Sequence, residues 1–182
     1  MAVTTAPLTG VFEADRIHSS LQFAVRHMKV STFRASFADV EARLVADTPE
    51  PRLEGVARVE SISITDPQVF REHVVRSADF FDADSHPEIL FRSDRVDLAE
   101  NGSATVKGEL TIRGISRPVT ATGTYEGPVE DPFGLLRAAL QLRAVVDRRD
   151  WGMSWQAPLP GGADVLGWDV EITVQLELVG QA

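Results

Sequence analysis

Ala104-Thr105-Val106-Lys107-Gly108-Glu109-Leu110-Thr111-Ile112-Arg113 alternates apolar and polar residues without a break. Successive side chains on a strand point to opposite faces, so this run buries one face and wets the other. The rule repeats downstream. Val119, Ala121, Gly123 and Tyr125 interleave with threonines and Glu126; Leu136, Ala138, Leu140, Leu142, Ala144 and Val146 follow, then Val170, Ile172, Val174, Leu176 and Leu178. Four such strands in series, with no helix-length apolar pattern between them, specify an antiparallel sheet.

Upstream the same reading adds four more. Leu21, Phe23 and Val25 form the apolar face of a first strand, and Ala38, Val40, Ala42 and Leu44 that of a second. Thr48-Pro49-Glu50-Pro51 then turns the chain. Residues 55–64 read as a third strand whose face switches near Val59 and Ile62, and residues 89–98 as a fourth that switches between Phe91 and Val96, the mark of bulges. Asn101-Gly102 is a hairpin signal between the fourth strand and the next. The sum is an all-β chain of eight antiparallel strands, read as one barrel domain over residues 1–182 with a flexible segment over residues 1–10. Pro67 to about Ser77 is the credible helix, capped by Thr65 or Asp66, with Val69, Phe70, His73 and Val74 on one face. A second short helix or turn is expected over His27 to Thr32. These segments cover one barrel end, either as a plug or as a lid.

A barrel of eight strands is just wide enough to be filled by side chains or to hold one small ligand. Alanine and glycine recur on the inward face, which would leave room inside. Strand parity turns Leu21, Phe23, Val25, Val40, Leu44, Phe91, Leu110, Ile112, Ala121, Leu140, Leu142 and Ile172 inward, to line one elongated cavity. Such a lining has few hydrogen-bonding groups and selects an apolar guest. The competing reading is a packed core in which small and large residues alternate to fit a taper.

Composition narrows the function. The 182 residues carry a formal charge of −9, which disfavours nucleic acid and anionic surfaces as nonspecific partners. No apolar run reaches the roughly 18 residues of a membrane-spanning helix, so no stable membrane insertion is expected. Residues 1–10 lack the basic and apolar regions of a secretion signal, and cysteine is absent, which together suit the cytoplasm. His18, His27, His73 and His86 are dispersed without metal-ligand spacing, so no metal is expected. Ser19 with Asp15 or Asp79 invites a triad, but no strained nucleophile elbow such as G-x-S-x-G is present. No catalytic residue is assigned. His18 and Arg148 are the candidates for polar groups at the cavity mouth; within Asp147-Arg148-Arg149-Asp150, local ion pairs are the alternative. Trp151, Trp155 and Trp168 flank the Pro158–Gly162 loop, as a gate or as packing beneath it.

Four segments resemble a known family. Asp15, His18, Ser19, Phe23, Val25 and His27 match the opening pattern of the YceI-like family, and Arg76 to Asp82 followed by His86-Pro87-Glu88-Ile89 and Phe91 match its middle. Leu110 to Val119 resembles its most recognisable run, and Arg148, Asp150, Trp151, Gly152 and Met153 its R-x-D-[FYW]-G-[ML] segment. Departures are Ala35 where a glycine is common, His73 standing one position early in the helix, and the missing secretion signal. The resemblance implies a lipocalin-like barrel, commonly a homodimer, holding a polyisoprenoid, an isoprenoid quinone or a similar lipid tail for storage or transport, with no other cofactor. Outward apolar residues at the switches near Val59, Ile62, Ile64, Phe91 and Val96 would serve pairing. The alternative is a small hydrolase or isomerase acting on a lipid in the same cavity.

Overall fold

In the computed structural model, which describes residues 8–46 and 48–181, ten strand segments form one closed wall. They are β1 (Val11–Ala14), β2 (Ser20–His27), β3 (Ser31–Phe37), β4 (Val40–Val45), β5 (Arg52–Arg58), β6 (Glu88–Leu98), β7 (Ser103–Ile112), β8 (Ile115–Glu130), β9 (Leu136–Asp147) and β10 (Leu166–Gly180). The helix α1 (Gln68–Arg76) lies between β5 and β6. β10 meets β1 through Ala14↔Leu178 and β2 through Val170↔Val25, so β1 and β2 are one wall broken at residues 15–19. β3 and β4 likewise make one wall, which reduces ten segments to an eight-walled antiparallel barrel closed by β10.

Two switches of face have separate causes. In β6 the register slips between Ser93 and Arg95, and the Ser93 hydroxyl at this bulge accepts the Leu53 N–H at 2.8 Å. After β5 the chain instead leaves the sheet in a short 3₁₀ turn, Val59–Ser61. As a result Val59, Ile62, Ile64 and Val96 are all buried and Phe91 packs against the core. The outward apolar patch expected there does not exist, and it gives a homodimer no contact surface.

Other expectations are corrected locally. Residues 27–32 hold no helix: Met28 and Lys29 are the centre of a tight turn joining β2 to β3, closed by Val30 N–H to the His27 carbonyl at 3.2 Å. Their φ values of 49° and 61° mark a type I′ turn, which favours Asn-Gly; bulkier residues cost about 1–2 kcal/mol each there. α1 has Pro67 at its N-cap and no side-chain cap, so neither Thr65 nor Asp66 serves. Val74 and Val75 are its buried residues, whereas Val69 is 76% exposed. Of the ten leading residues expected to be flexible, residues 1–7 lie outside the described residues. Leu8 is buried, and the Gly10 carbonyl accepts Ala46 N–H.

The interior divides into two halves. Phe12, Leu44, Leu53, Val106, Leu140, Leu142, Leu176 and Leu178 pack together at one end with Ala104, Ala121 and Ala138. The other end is ringed by Phe37, Val74, Phe81, Ile89, Leu110, Ile112 and Trp151. Small side chains occur in both halves, Ala35, Ala57 and Ala83 in the second among them, and along the strands they let walls approach. A Cβ on Gly123 would stand 1.8 Å from the Gln141 carbonyl oxygen, and one on Gly108 2.2 Å from that of Arg92. These glycines make close strand contact, not room.

Candidate functional site

The second half encloses a cavity of about 440 Å³, within the range of about 300–1,000 Å³ that small-molecule sites occupy. β2 contributes Leu21, Phe23, Val25 and His27; β7 contributes Leu110 and Ile112; β9 and β10 contribute Val146, Leu166, Val170 and Ile172. Phe33 and Phe37 come from β3, Phe70 and Val74 from α1, Phe80 and Phe81 from the segment after it, and Trp151, Met153, Trp155 and Val165 from the chain before β10. The wall is almost entirely carbon. Its large residues prop the space open by bearing on one another. Phe23 touches Phe33, Phe37 and Phe81 with ring centroids 6.2, 5.9 and 6.3 Å away, and Phe33 meets Phe70 edge-on at 5.8 Å. Across the opening, His73, Phe80 and Trp155 form a mutual cluster at 5.2–5.6 Å, with His73 Nε2 2.9 Å from Asp79. α1 and the 153–166 segment therefore border the mouth.

Six of the twelve sequence-assigned lining residues, Leu21, Phe23, Val25, Leu110, Ile112 and Ile172, border this space. The other six do not. Leu44, Leu140 and Leu142 fill the packed half, with Ala121 against them; Val40 belongs to the core around the cavity and Phe91 packs between the two clusters. Parity says only that a side chain points inward, and every inward position of a barrel satisfies it. Of the contributions missed, Ile89, Val146 and Val170 lie on alternating strands, Phe70 and Val74 on the apolar face read for the helix, and Phe80, Trp155 and Val165 on segments that carry no periodic signal.

Arg148 borders the cavity and is buried, 3% exposed. It makes no ion pair with a described residue. Instead its Nε donates to the Gly167 carbonyl at 2.9 Å, Nη1 to Met153 at 2.5 Å and Nη2 to Trp155 at 2.9 Å. The ring of Trp168 lies 4.4 Å away on its face, outside the cavity, and Arg149 pairs with Asp147. Burial pushes the Arg148 pKa down, although a guanidinium remains charged at neutral pH. Arg148 thus ties both ends of the mouth segment to β9. The neighbouring clamp uses Arg113 Nη1 to the Gly152 carbonyl, Arg117 Nε to that of Asp150, and Trp151 Nε1 to that of Leu110. The two most recognisable sequence segments are one structural joint.

His18 is not at the mouth. It sits between β1 and β2 with Nδ1 3.1 Å from Asp15 and 3.9 Å from Glu177, beyond the cavity. Asp15, His18 and Glu177 could offer three ligand atoms to a metal, but Arg137 Nη1 already bonds both carboxylates at 3.2 and 2.5 Å. Ser19 Oγ accepts the Glu177 N–H at 3.1 Å, which engages the hydroxyl in holding β10.

A family model described as YceI-like domain matches residues 12–178. A UPF0312 protein of Staphylococcus aureus strain N315 is 29% identical over 168 residues, covering 91% of this chain and 95% of that protein. One from Pseudomonas putida strain W619 is 27% identical over 159 residues, covering 87% and 80%. Among solved structures, a polyisoprenoid binding domain from Saccharophagus degradans, implicated in plant cell wall breakdown, aligns with a TM-score of 0.70 at 12% identity over 96% of this chain and all (100%) of that one. Burkholderia cenocepacia BcnA aligns with a TM-score of 0.72 at 19% identity over 92% and 99%. At such identities the structural likeness shows a common fold.

Proposed function

The chain belongs to the YceI-like family, and from that membership together with the cavity we propose that it binds the tail of a long apolar lipid, a polyisoprenoid or isoprenoid quinone, for storage or transport. The carrying observation is the large, carbon-walled cavity in one half of the barrel. Its energetics favour length. Burying about ten methylenes gains roughly 8 kcal/mol at about 0.8 each. Lost freedom of motion costs about 4 kcal/mol or more, which leaves affinity near 1 mM at about 4 kcal/mol net. About fifteen methylenes reach roughly the micromolar range by the same arithmetic. The binding of a polyisoprenoid by the Saccharophagus domain, which has this fold, supports the reading.

The test uses the two tryptophans of the wall. Titration with a short-chain isoprenoid quinone should quench Trp151 and Trp155 saturably. The V146F/V170F double variant fills the space where Val146 and Val170 stand side by side on β9 and β10; it should melt close to the parent and bind at least tenfold more weakly. Equal binding by parent and variant, or no saturable quenching of the parent, defeats the proposal.

A further inference from the structure

The turn between β2 and β3 sits at the cavity mouth: His27 borders the cavity, and Met28 N–H donates to the carbonyl of Val165, another lining residue, at 2.6 Å. The turn nevertheless directs its apolar side chains into solvent, with Met28 44% and Val30 83% exposed. On the other side of the opening α1 does the same: Phe70 borders the cavity at 38% exposure and its neighbour Val69 is open. Phe33, which meets Phe70 edge-on, links the two sides. Tight type I′ turns are cheapest with Asn-Gly, yet this one holds methionine and lysine in left-handed backbone. Strain of that kind persists where the side chains serve a purpose.

Charge on the same hairpin points to the partner. Arg26, Lys29 and Arg34 are exposed and form no ion pair with a described residue, although the chain is strongly acidic. Arg26 and Lys29 border a second groove that adjoins the cavity through Val165 and Leu166. Asp164 borders that groove too and is electrostatically coupled to Arg148. Exposed apolar residues among unpaired cations match an interface whose surface is anionic and whose interior is hydrocarbon.

We propose that the β2–β3 turn and the first turn of α1 dock the protein on an anionic bilayer surface, with the cavity mouth facing the headgroups. The contact is peripheral: Met28, Val30 and Val69 enter the headgroup layer, while Lys29 can extend its stem along them and keep its ammonium at the phosphates. It rests on the reading of the cavity as a lipid site, because the mouth would then face the pool from which a tail is drawn. The acidic remainder of the molecule opposes deeper or nonspecific adhesion.

Flotation with phosphatidylcholine vesicles, with and without phosphatidylglycerol, tests the docking. The protein should float with the anionic vesicles, be released by high salt, and float poorly with phosphatidylcholine alone. M28D/V30D should abolish flotation, and K29E/R34E should weaken it at least fivefold per cation, at an unchanged melting temperature. A parent that floats with neither vesicle, or variants that float like the parent, overturns the proposal. Quinone in detergent micelles, read by tryptophan quenching, separates this from the cavity: variants that dock poorly should still bind it. Flotation without quenching keeps the docking surface and removes the lipid reading of the cavity; quenching without flotation does the reverse.

Discussion

Arg148 shows how a charged side chain can belong to an apolar site without serving as its binding group. Its guanidinium is spent on the carbonyls of Met153, Trp155 and Gly167, three points along the segment that borders the mouth. Charge-assisted bonds of this kind contribute about 1.5–3 kcal/mol each and do not add independently. R148M preserves bulk and removes the donors, so it should destabilise by about 3 kcal/mol, a fall in melting temperature of roughly 6–12 °C for a chain of this size. R148K should recover little, since one ammonium cannot replace a planar fork bonding three carbonyls in different directions. Full recovery in a thermal melt would mean that charge alone suffices. From sequence, the Asp147-Arg148-Arg149-Asp150 cluster permitted either local ion pairs or a position at the mouth. The structure divides the two between neighbours: Arg149 pairs with Asp147, and Arg148 turns inward.

At the level of elements, the barrel closes where β1, β9 and β10 meet, and a charge cluster holds that seam. Arg137 on β9 bonds Asp15 after β1, Glu177 on β10 and Asp131 before β9. The Asp15 pKa is lowered to about 2, first by the His18 hydrogen bond, then by the Ile17 N–H, with Arg137 adding to them. Asp131 is lowered too, chiefly by Arg137. A carboxylate whose folded pKa lies below its unfolded value stabilises the fold above the unfolded value and loses that contribution as pH falls through the folded one. For Asp15 the window runs from the reference value of 3.8 down to about 2. R137Q should therefore melt below the parent at neutral pH, and the gap should narrow as pH drops through that window. Melts at stepped pH decide this; a gap that stays constant to pH 2 would show that Arg137 acts through packing.

Across the whole molecule, the packed half and the hollow half should differ in local stability, since opening follows buried apolar contact. Backbone amides of Val106, Leu140 and Leu178 should exchange slowest, and those of the 153–166 segment fastest among the described residues that border the cavity. Saturating isoprenoid quinone should slow the second group. At one hundred times its Kd it should add about 2.7 kcal/mol, a rise of roughly 5–11 °C in melting temperature. Hydrogen exchange with and without the quinone checks both parts. Uniform exchange, or protection of the packed half alone, would place the ligand elsewhere. No helix among the described residues is long and apolar enough to cross a membrane.

Alternation alone determined eight of the ten strand segments, their antiparallel arrangement and their inward faces, because period two is a local property of the chain. It also located the β6 bulge, where Phe91 and Val96 change parity. β1, four residues long, is too short to show a period, and in β3 the alternation of Phe33, Ala35 and Phe37 with Arg34 and Ser36 spans only five residues. Alternation could not say which inward residues meet space. Alanine and glycine suggested room, yet they let strands close together around Leu140 and Leu178, while the cavity lies among Phe23, Phe70, Phe81 and Trp151. Free volume depends on how far apart the walls stand. That spacing comes from large side chains on different elements bearing on one another across the barrel, and only the tertiary structure brings them together.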